Sequence, residues 1–451
     1  MQLTENEVEF NGESLEITND IDNLFVISNL GQFNHIKALI SYYDFHNCGV
    51  IVLFTSANLE VPKDIQNSLS DSVFRHSFFL EIPRSPNRIN LALTKRLYEK
   101  YSFYLSKFRA SRLFISSFQY HYALLGQIAD DMGTEINLVE EGLGTYRLVN
   151  PEERKLEKDF TFGVVKRSAK KTLTKTQIFK FIYSKYKPFK ELALQTKSFV
   201  KDVYESPELQ AQLIKVNKNK NLQAILSPYV TFNSTYTSFP SIAENIFEAQ
   251  DNKFYPVFAD PKEEDVESAL EVIKAYDISN KDYIYVSQKF SIDSDEYVDI
   301  VEEVFNKILE NNEGKIFVKT HPKRESQATL DAFEELEQIY KGKVYLIRES
   351  SFLIEEVVRQ SNVRGVIGIT SSALVYASIV SSECKSYSLA KILLDKLEGK
   401  PKNIKGIKMI SSHLRMIENF ENVIFLDKEY LEENTLSLNT HSNSGKISCL
   451  N

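Results

Sequence analysis

"VRGVIGITSSALVYAS", Val363–Ser378, runs from an apolar, β-branched stretch into three hydroxyl residues and then directly into a helical pattern. A continuous apolar run of this kind suits a strand buried on both faces, and the residues after it suit a helix that covers one of them. Strand, short turn and helix form the unit of a parallel α/β sheet, because parallel strands need a crossover to return.

The same unit recurs on both sides. "NLFVISNL" (Asn23–Leu30), "GVIVLFTS" (Gly49–Ser56), "RLFISS" (Arg112–Ser117) and "INLVE" (Ile136–Glu140) read as strands, with "NHIKALISYYDF" and "ALLGQIADDMG" as helices between them. "QAILSPYV" (Gln223–Val230) is expected to resume the alternation. "DYIYVSQ" (Asp282–Gln288), "KIFVKTHP" (Lys315–Pro322), "KVYLI" (Lys343–Ile347) and "NVIFLD" (Asn422–Asp427) complete a second set around the opening stretch. At 451 residues the chain exceeds one ordinary core. The division expected is an N-terminal domain over 1–255, a C-terminal domain over 256–430 and a polar tail over 431–451. A two-lobed α/β enzyme with a cleft follows, and in such sheets ligands bind beyond the carboxyl ends of the strands.

Composition excludes other classes. The chain is 43% hydrophobic and 26% charged, which is that of a folded protein. Its three cysteines, Cys48, Cys384 and Cys449, form no CxxC pair, so neither a disulfide framework nor a zinc site is indicated. The acidic start "MQLTENEVEFNGESLEITND" lacks a signal-peptide pattern, and no apolar run reaches the roughly 20 residues of a membrane helix. A soluble cytoplasmic protein is expected, with surface attachment to the inner face of the cytoplasmic membrane left open.

The net charge of -8 is unevenly spread: Lys166–Lys201 holds eleven Lys or Arg against one acid, Glu191. Phe179, Phe181, Tyr183, Tyr186 and Phe189 interleave with these charges, within a helical insertion expected over about 151–221. Such a stretch suits an anionic partner such as lipid headgroups, a polyanionic glycan or nucleic acid. It equally suits a solvated helical face whose aromatics pack inward.

Three strand ends could carry chemistry. In "LVEEGLGTY" (Leu138–Tyr146), Glu140 and Glu141 precede Gly142. Neighbouring side chains on a strand point to opposite faces, so one carboxylate is expected to face the cleft and the other to support the loop. Glu141, nearer the turn, is the expected base; a charged surface loop is the alternative. In "FVKTHPKR", Pro322 ends the strand and His321 stands among Lys319, Lys323 and Arg324. That setting suits proton transfer to a phosphate oxygen, or an ordinary structural histidine. In the opening stretch, Thr370, Ser371 and Ser372 at a helix start suit phosphate binding, simple N-capping, or both. "DSD" (Asp293–Asp295) resembles a metal-binding DxD but opens a helix, where acids are favoured anyway. His35 and His121 follow strands and could touch an acceptor or merely cap.

In order and spread, these motifs resemble those of the bacterial sialyltransferases, which share a D/E-D/E-G motif, an HP motif and a later S/T pair. Here they are Glu140-Glu141-Gly142, His321-Pro322 and Ser371-Ser372. "EEGLGTY" is most similar to the group that includes capsule polysialyltransferases and lipooligosaccharide sialyltransferases. The resemblance covers roughly Leu24–Asp427. It implies a GT-B-like α/β fold, two Rossmann-like domains facing a central cleft, with acceptor bound N-terminally and CMP-sialic acid C-terminally. It also implies inverting, metal-independent transfer with no cofactor beyond the donor. Glu141 or Glu140 would then be the base, with His321 on the leaving group. Pro322, Ser371, Ser372, Thr370, Lys319 and, by position alone, Gln288 would line the donor. The partners implied are CMP-sialic acid and an anionic glycan acceptor, with peripheral membrane contact through 166–201 and no nucleic acid.

Two other functions fit the same pattern. A teichoic-acid-type glycerol- or ribitol-phosphate transferase shares the HP and serine features, but relies on histidines where this chain has a glutamate pair. A non-catalytic glycan- or membrane-binding protein on a decayed transferase fold would not need all three motifs.

Overall fold

The computed structural model describes residues 4–11, 21–69, 73–83, 91–149, 228–258, 261–320, 325–349 and 352–432. The basic insertion, most of the polar tail, His321 and Pro322 lie outside these residues. The chain divides into two compact units, Met1–Ala259 and Asp260–Asn451.

Unit 1 holds β1 (Asn23–Ile27), β2 (Cys48–Phe54), β3 (Phe74–Glu81), β4 (Arg112–Ile115), β5 (Glu135–Val139), β6 (Thr231–Thr237) and β7 (Glu248–Phe254). They form one sheet in the order β3-β2-β1-β4-β5-β6-β7, and every neighbouring pair is parallel. Its described helices are α1 (Glu5–Asn11), α2 (Leu30–Tyr43), α3 (Glu60–Asn67), α4 (Leu91–Phe108), α5 (His121–Asp131) and α6 (Pro240–Ile246).

Every residue of β1 and β2 is buried, as apolar runs covered on both faces require. Phe25 of β1 stacks on Phe114 of β4 with ring centroids 4.5 Å apart. Each such ring contributes about 1.5–3 kcal/mol by leaving water. Of the strand expected over Gln223–Val230, residues 223–227 lie outside the described residues; Pro228–Val230 are irregular and β6 begins at Thr231. Beyond it, β7 ("EAQDNKF") lies at the sheet edge with most of its residues at least partly exposed. Charges on an edge strand deter pairing with another chain.

Unit 2 repeats the plan with β8 (Tyr283–Val286), β9 (Ile316–Lys319), β10 (Val344–Ile347), β11 (Gly365–Gly368), β12 (Lys385–Ser388) and β13 (Val423–Phe425). Their order is β10-β9-β8-β11-β12-β13, again parallel throughout. The described helices are α7 (Glu263–Tyr276), α8 (Ser294–Asn311), α9 (Gln327–Ile339), α10 (Ile354–Ser361), α11 (Ser372–Val380), α12 (Ala390–Leu397), α13 (Ile404–Ile417) and α14 (Lys428–Glu432). Both units are doubly wound, Rossmann-like sheets, so the chain has the two-unit α/β make-up of a GT-B-like protein.

In each sheet the winding direction reverses once, between β1 and β4 in unit 1 and between β8 and β11 in unit 2. At a reversal the two following loops diverge and leave a crevice at the carboxyl ends of the strands. Those two places are where ligand chemistry is expected.

Candidate active site

In unit 1, β5 ends at Val139, and the glutamate pair follows at once. Glu140 is 0% exposed, whereas Glu141 is exposed. The Glu140 Oε2 accepts hydrogen bonds from the Tyr146 hydroxyl and the Ser238 backbone N–H, both at 2.6 Å. Its own N–H donates to the Tyr236 carbonyl of β6 at 3.0 Å. Glu140 therefore ties the loop after β5 to the end of β6. Burial and the neighbouring carboxylate push the Tyr146 hydroxyl well above the ordinary tyrosine range, so it stays a donor.

Glu141 is held from the other side of the switch point. Its Oε1 accepts from the Gln32 side-chain amide at 2.9 Å and lies 3.4 Å from the Asn29 Nδ2. Its backbone N–H donates to the Thr145 hydroxyl at 3.2 Å. Among the described residues its Oε2 has no hydrogen-bond partner. Gly142 next adopts φ 150°, with nothing within 4 Å of where a Cβ would sit, so the chain leaves the strand without steric cost.

Asn29 and Gln32 come from the turn between β1 and α2. Asn29 caps α2, its Oδ1 accepting from the Gln32 N–H at 2.8 Å. The "SNLGQ" stretch has the N-cap and third-position amide of a helix start. That signal was available in the sequence; the distant partner of the two amides was not. The Tyr122 hydroxyl also lies beside Ser28, Gln32 and Glu141.

His121 opens α5 after Tyr120, which has φ 53° and ψ -122°. The imidazole is buried, 4.4 Å from the Tyr122 ring between centroids, and among the described residues neither ring nitrogen has a hydrogen-bond partner. Burial pushes its pKa down to about 4. His35 sits on α2 behind the glutamate pair; burial lowers its pKa, against a hydrogen bond to the Glu140 backbone.

In unit 2, the switch point brings Gln288 to Thr370. The Gln288 Oε1 accepts from the Thr370 N–H at 2.7 Å, bridging the ends of β8 and β11. The Thr370 hydroxyl lies 3.4 Å from the His413 Nδ1, on α13, a residue that no local motif singles out. Burial lowers the His413 pKa, so its ring is neutral near pH 7. Ser371 caps α11, its hydroxyl accepting from the Ala373 N–H at 3.3 Å, and Ser372 is exposed at the first helical position.

Lys319 is not brought to this cluster. It is 7% exposed, its ammonium donates to the Glu349 carbonyl at 2.9 Å, and it lies 4.3 Å over the Phe352 ring. Burial lowers its pKa against the pull of Glu349. Asp293 of the DxD-like stretch caps α8, its carboxylate accepting from the Glu296 N–H at 3.5 Å. Among the described residues no three His, Cys, Asp or Glu side chains are grouped to hold a metal ion, and no helix is long and apolar enough to cross a membrane.

Comparison with known proteins gives one family: the family model for alpha-2,8-polysialyltransferase (POLYST) matches residues 23–390. A search of curated proteins finds no match. Similar solved structures include a ugt transferase from Siraitia grosvenorii in complex with UDP, at 11% identity and TM-score 0.45, covering 92% of this chain and 87% of that one. UDP-GlcNAc 2-epimerase from Methanocaldococcus jannaschii matches at 9% identity and TM-score 0.43, covering 91% and 90%. MurG from Acinetobacter baumannii matches at 10% identity and TM-score 0.41, covering 90% and 86%.

Proposed function

The chain belongs to the alpha-2,8-polysialyltransferase family, a family of glycosyltransferases, and from that premise we propose that it moves sialic acid from CMP-sialic acid to a glycan hydroxyl with inversion, Glu141 acting as general base. The observation that carries the choice of base is the contrast at the end of β5. Glu140 is sealed and engaged, whereas Glu141 is exposed with Oε1 held and Oε2 open.

In the step proposed, the acceptor oxygen bonds to the anomeric carbon of the sialic acid as its proton passes to the Glu141 carboxylate. The bond from that carbon to the phosphate oxygen breaks, and its electron pair leaves with CMP. A base in this position is worth about 10²–10⁴ in rate. The leaving phosphate is received at the start of α11, where the Ser371, Ser372 and Thr370 hydroxyls and the helix N-terminus face a negative charge favourably. His321, from the HP motif, supplies a proton or hydrogen bond to the same oxygen. With these donors the charge on the departing phosphate is met by the protein, so no divalent ion or other cofactor is needed. The acceptor proposed is an anionic glycan, such as capsular polysialic acid or a lipooligosaccharide, because Lys166–Lys201 concentrates eleven cationic residues in an acidic chain. The same stretch suits contact with the inner face of the cytoplasmic membrane.

Incubation with CMP-sialic acid and a panel of sialylated and neutral oligosaccharides tests this. CMP release that requires acceptor, persists with EDTA and disappears in Glu141→Gln is the expected result. Release only from CDP-glycerol sinks the assignment. Full activity in Glu141→Gln with loss in Glu140→Gln moves the base to Glu140.

A further inference from the structure

We infer that Gln32 is a positioning residue for Glu141, holding its carboxylate aimed; the inference rests on Glu141 being the base proposed above. A carboxamide has one accepting end and one donating end, and its hydrogen-bond partners decide which end faces which neighbour. Here the network decides. The Gln32 Oε1 accepts from the Ser28 backbone N–H at 2.6 Å and from the Ser28 hydroxyl at 3.0 Å. A backbone N–H can only donate, so the oxygen must face Ser28 and the NH₂ must face Glu141, 2.9 Å away.

Asn29 repeats the arrangement. Its Oδ1 is engaged by the Gln32 backbone N–H at 2.8 Å, which turns its Nδ2 toward the same Glu141 oxygen at 3.4 Å. Both amides are thus oriented by backbone N–H groups at the start of α2, and both present only donors. Donors fixed in this way hold the carboxylate oxygen in one place, so the side chain does not have to be ordered when the substrate arrives.

Burial adds rigidity. Gln32 is 3% exposed while the carboxylate it holds is exposed. The donor is fixed in the interior and the acceptor side of Glu141 is left for a substrate hydroxyl. Pairing Oε1 with fixed donors also leaves one oxygen, Oε2, to take the proton, so the geometry selects the attacking direction.

Two variants test the inference, both assayed in the full chain with CMP-sialic acid and a sialylated oligosaccharide, with kcat and acceptor KM read separately. Gln32→Met keeps the side-chain length and removes the donor. It should lower kcat about tenfold and leave acceptor KM little changed. Gln32→Glu keeps an acceptor for Ser28 and puts a second carboxylate against Glu141. Like charges repel, so Glu141 should be driven off its position and kcat should fall further than in Gln32→Met. A role in folding alone would lower the yield or melting temperature and leave kcat per folded molecule unchanged. Should both variants keep full kcat while Glu141→Gln is inactive, the positioning role is wrong and the base assignment stands. Should Glu141→Gln remain active, the base assignment itself fails.

Discussion

The strand ends near the two reversals carry opposite chemistry, at β5 one strand beyond the reversal in unit 1 and at β11 beside it in unit 2. In unit 1 the end of β5 presents a carboxylate, and two amides from the β1–α2 turn converge on it as donors. In unit 2 the end of β11 presents hydroxyls and a helix N-terminus, and an amide from the end of β8 accepts from the backbone between them. Under the proposed function, one site keeps a negative charge on the protein and the other receives one from a ligand. The glutamine matters in both, with its ends reversed: Gln32 donates to a side chain, and Gln288 accepts from a main-chain N–H. The fold supplies the place, and the polarity of a few side chains decides what happens there.

The largest effect that can break this contrast is catalytic. Glu141→Gln keeps the size of the side chain and removes its basicity, so kcat should fall by about 10²–10⁴ with donor KM nearly unchanged. A donor KM that rises instead would place Glu141 among the nucleotide ligands and erase the distinction between the units. The adjacent residue should behave otherwise. Glu140→Ala leaves the Tyr146 hydroxyl and the Ser238 N–H without their shared acceptor in a buried site. Stability should drop by about 2–4 kcal/mol, read by chemical denaturation. Glu140→Gln should cost much less, because both bonds end on Oε2, an oxygen that glutamine retains.

Much of the scaffold behind this contrast was legible. β1, β2, β8 and β11 are unbroken apolar runs, and such runs between helical patterns specify parallel sheets. β6 ("TFNSTYT") and β7 ("EAQDNKF") were not legible, because a polar strand near or at a sheet edge lacks the core-facing pattern that sequence reading detects. The period of a strand implied opposite faces for Glu140 and Glu141, without naming the residues that would meet them. Gln32 is 109 residues from Glu141, and their meeting depends on β4 alone separating β1 from β5 in the sheet. His413 reaches Thr370 in the same nonlocal way, through the packing of α13. Pairwise adjacency of this sort follows from strand order, which no local motif encodes.

Histidines allow a smaller test of how dry each site is. His121, buried in unit 1, has its pKa pushed down to about 4 by burial, and the unfolded chain should titrate near 6.5. Below pH 6.5 the unfolded state binds a proton that the folded state refuses. Stability is therefore full above about pH 6.5 and declines as pH falls toward 4, by up to about 3 kcal/mol. Replacing the imidazole with an apolar ring, His121→Phe, should flatten that decline in denaturation midpoints measured across this range. His413 in unit 2, only partly buried, is shifted in the same direction, also by burial. His413→Phe should therefore flatten the curve less, and equal flattening by both would mean that the sites do not differ in solvent exclusion.

The smallest effect concerns the start of α11, where one residue has two roles that can be separated. As the cap, Ser371 satisfies the Ala373 N–H, and its loss in Ser371→Ala should cost about 1 kcal/mol of stability. As a phosphate ligand it would also contribute to donor affinity, and Ser371→Ala should raise the KM for CMP-sialic acid several-fold while leaving acceptor KM alone. Ser371→Asp separates these. An aspartate caps as well as a serine, so stability should be retained, but its negative charge repels a phosphate at the same N-terminus. Donor KM should therefore rise more in Ser371→Asp than in Ser371→Ala, although the better-capped helix is the more stable. If the two variants instead rank in KM as they rank in stability, Ser371 acts on the donor only through the helix it caps, and the receiving charge of unit 2 must come from Ser372, Thr370 and the backbone.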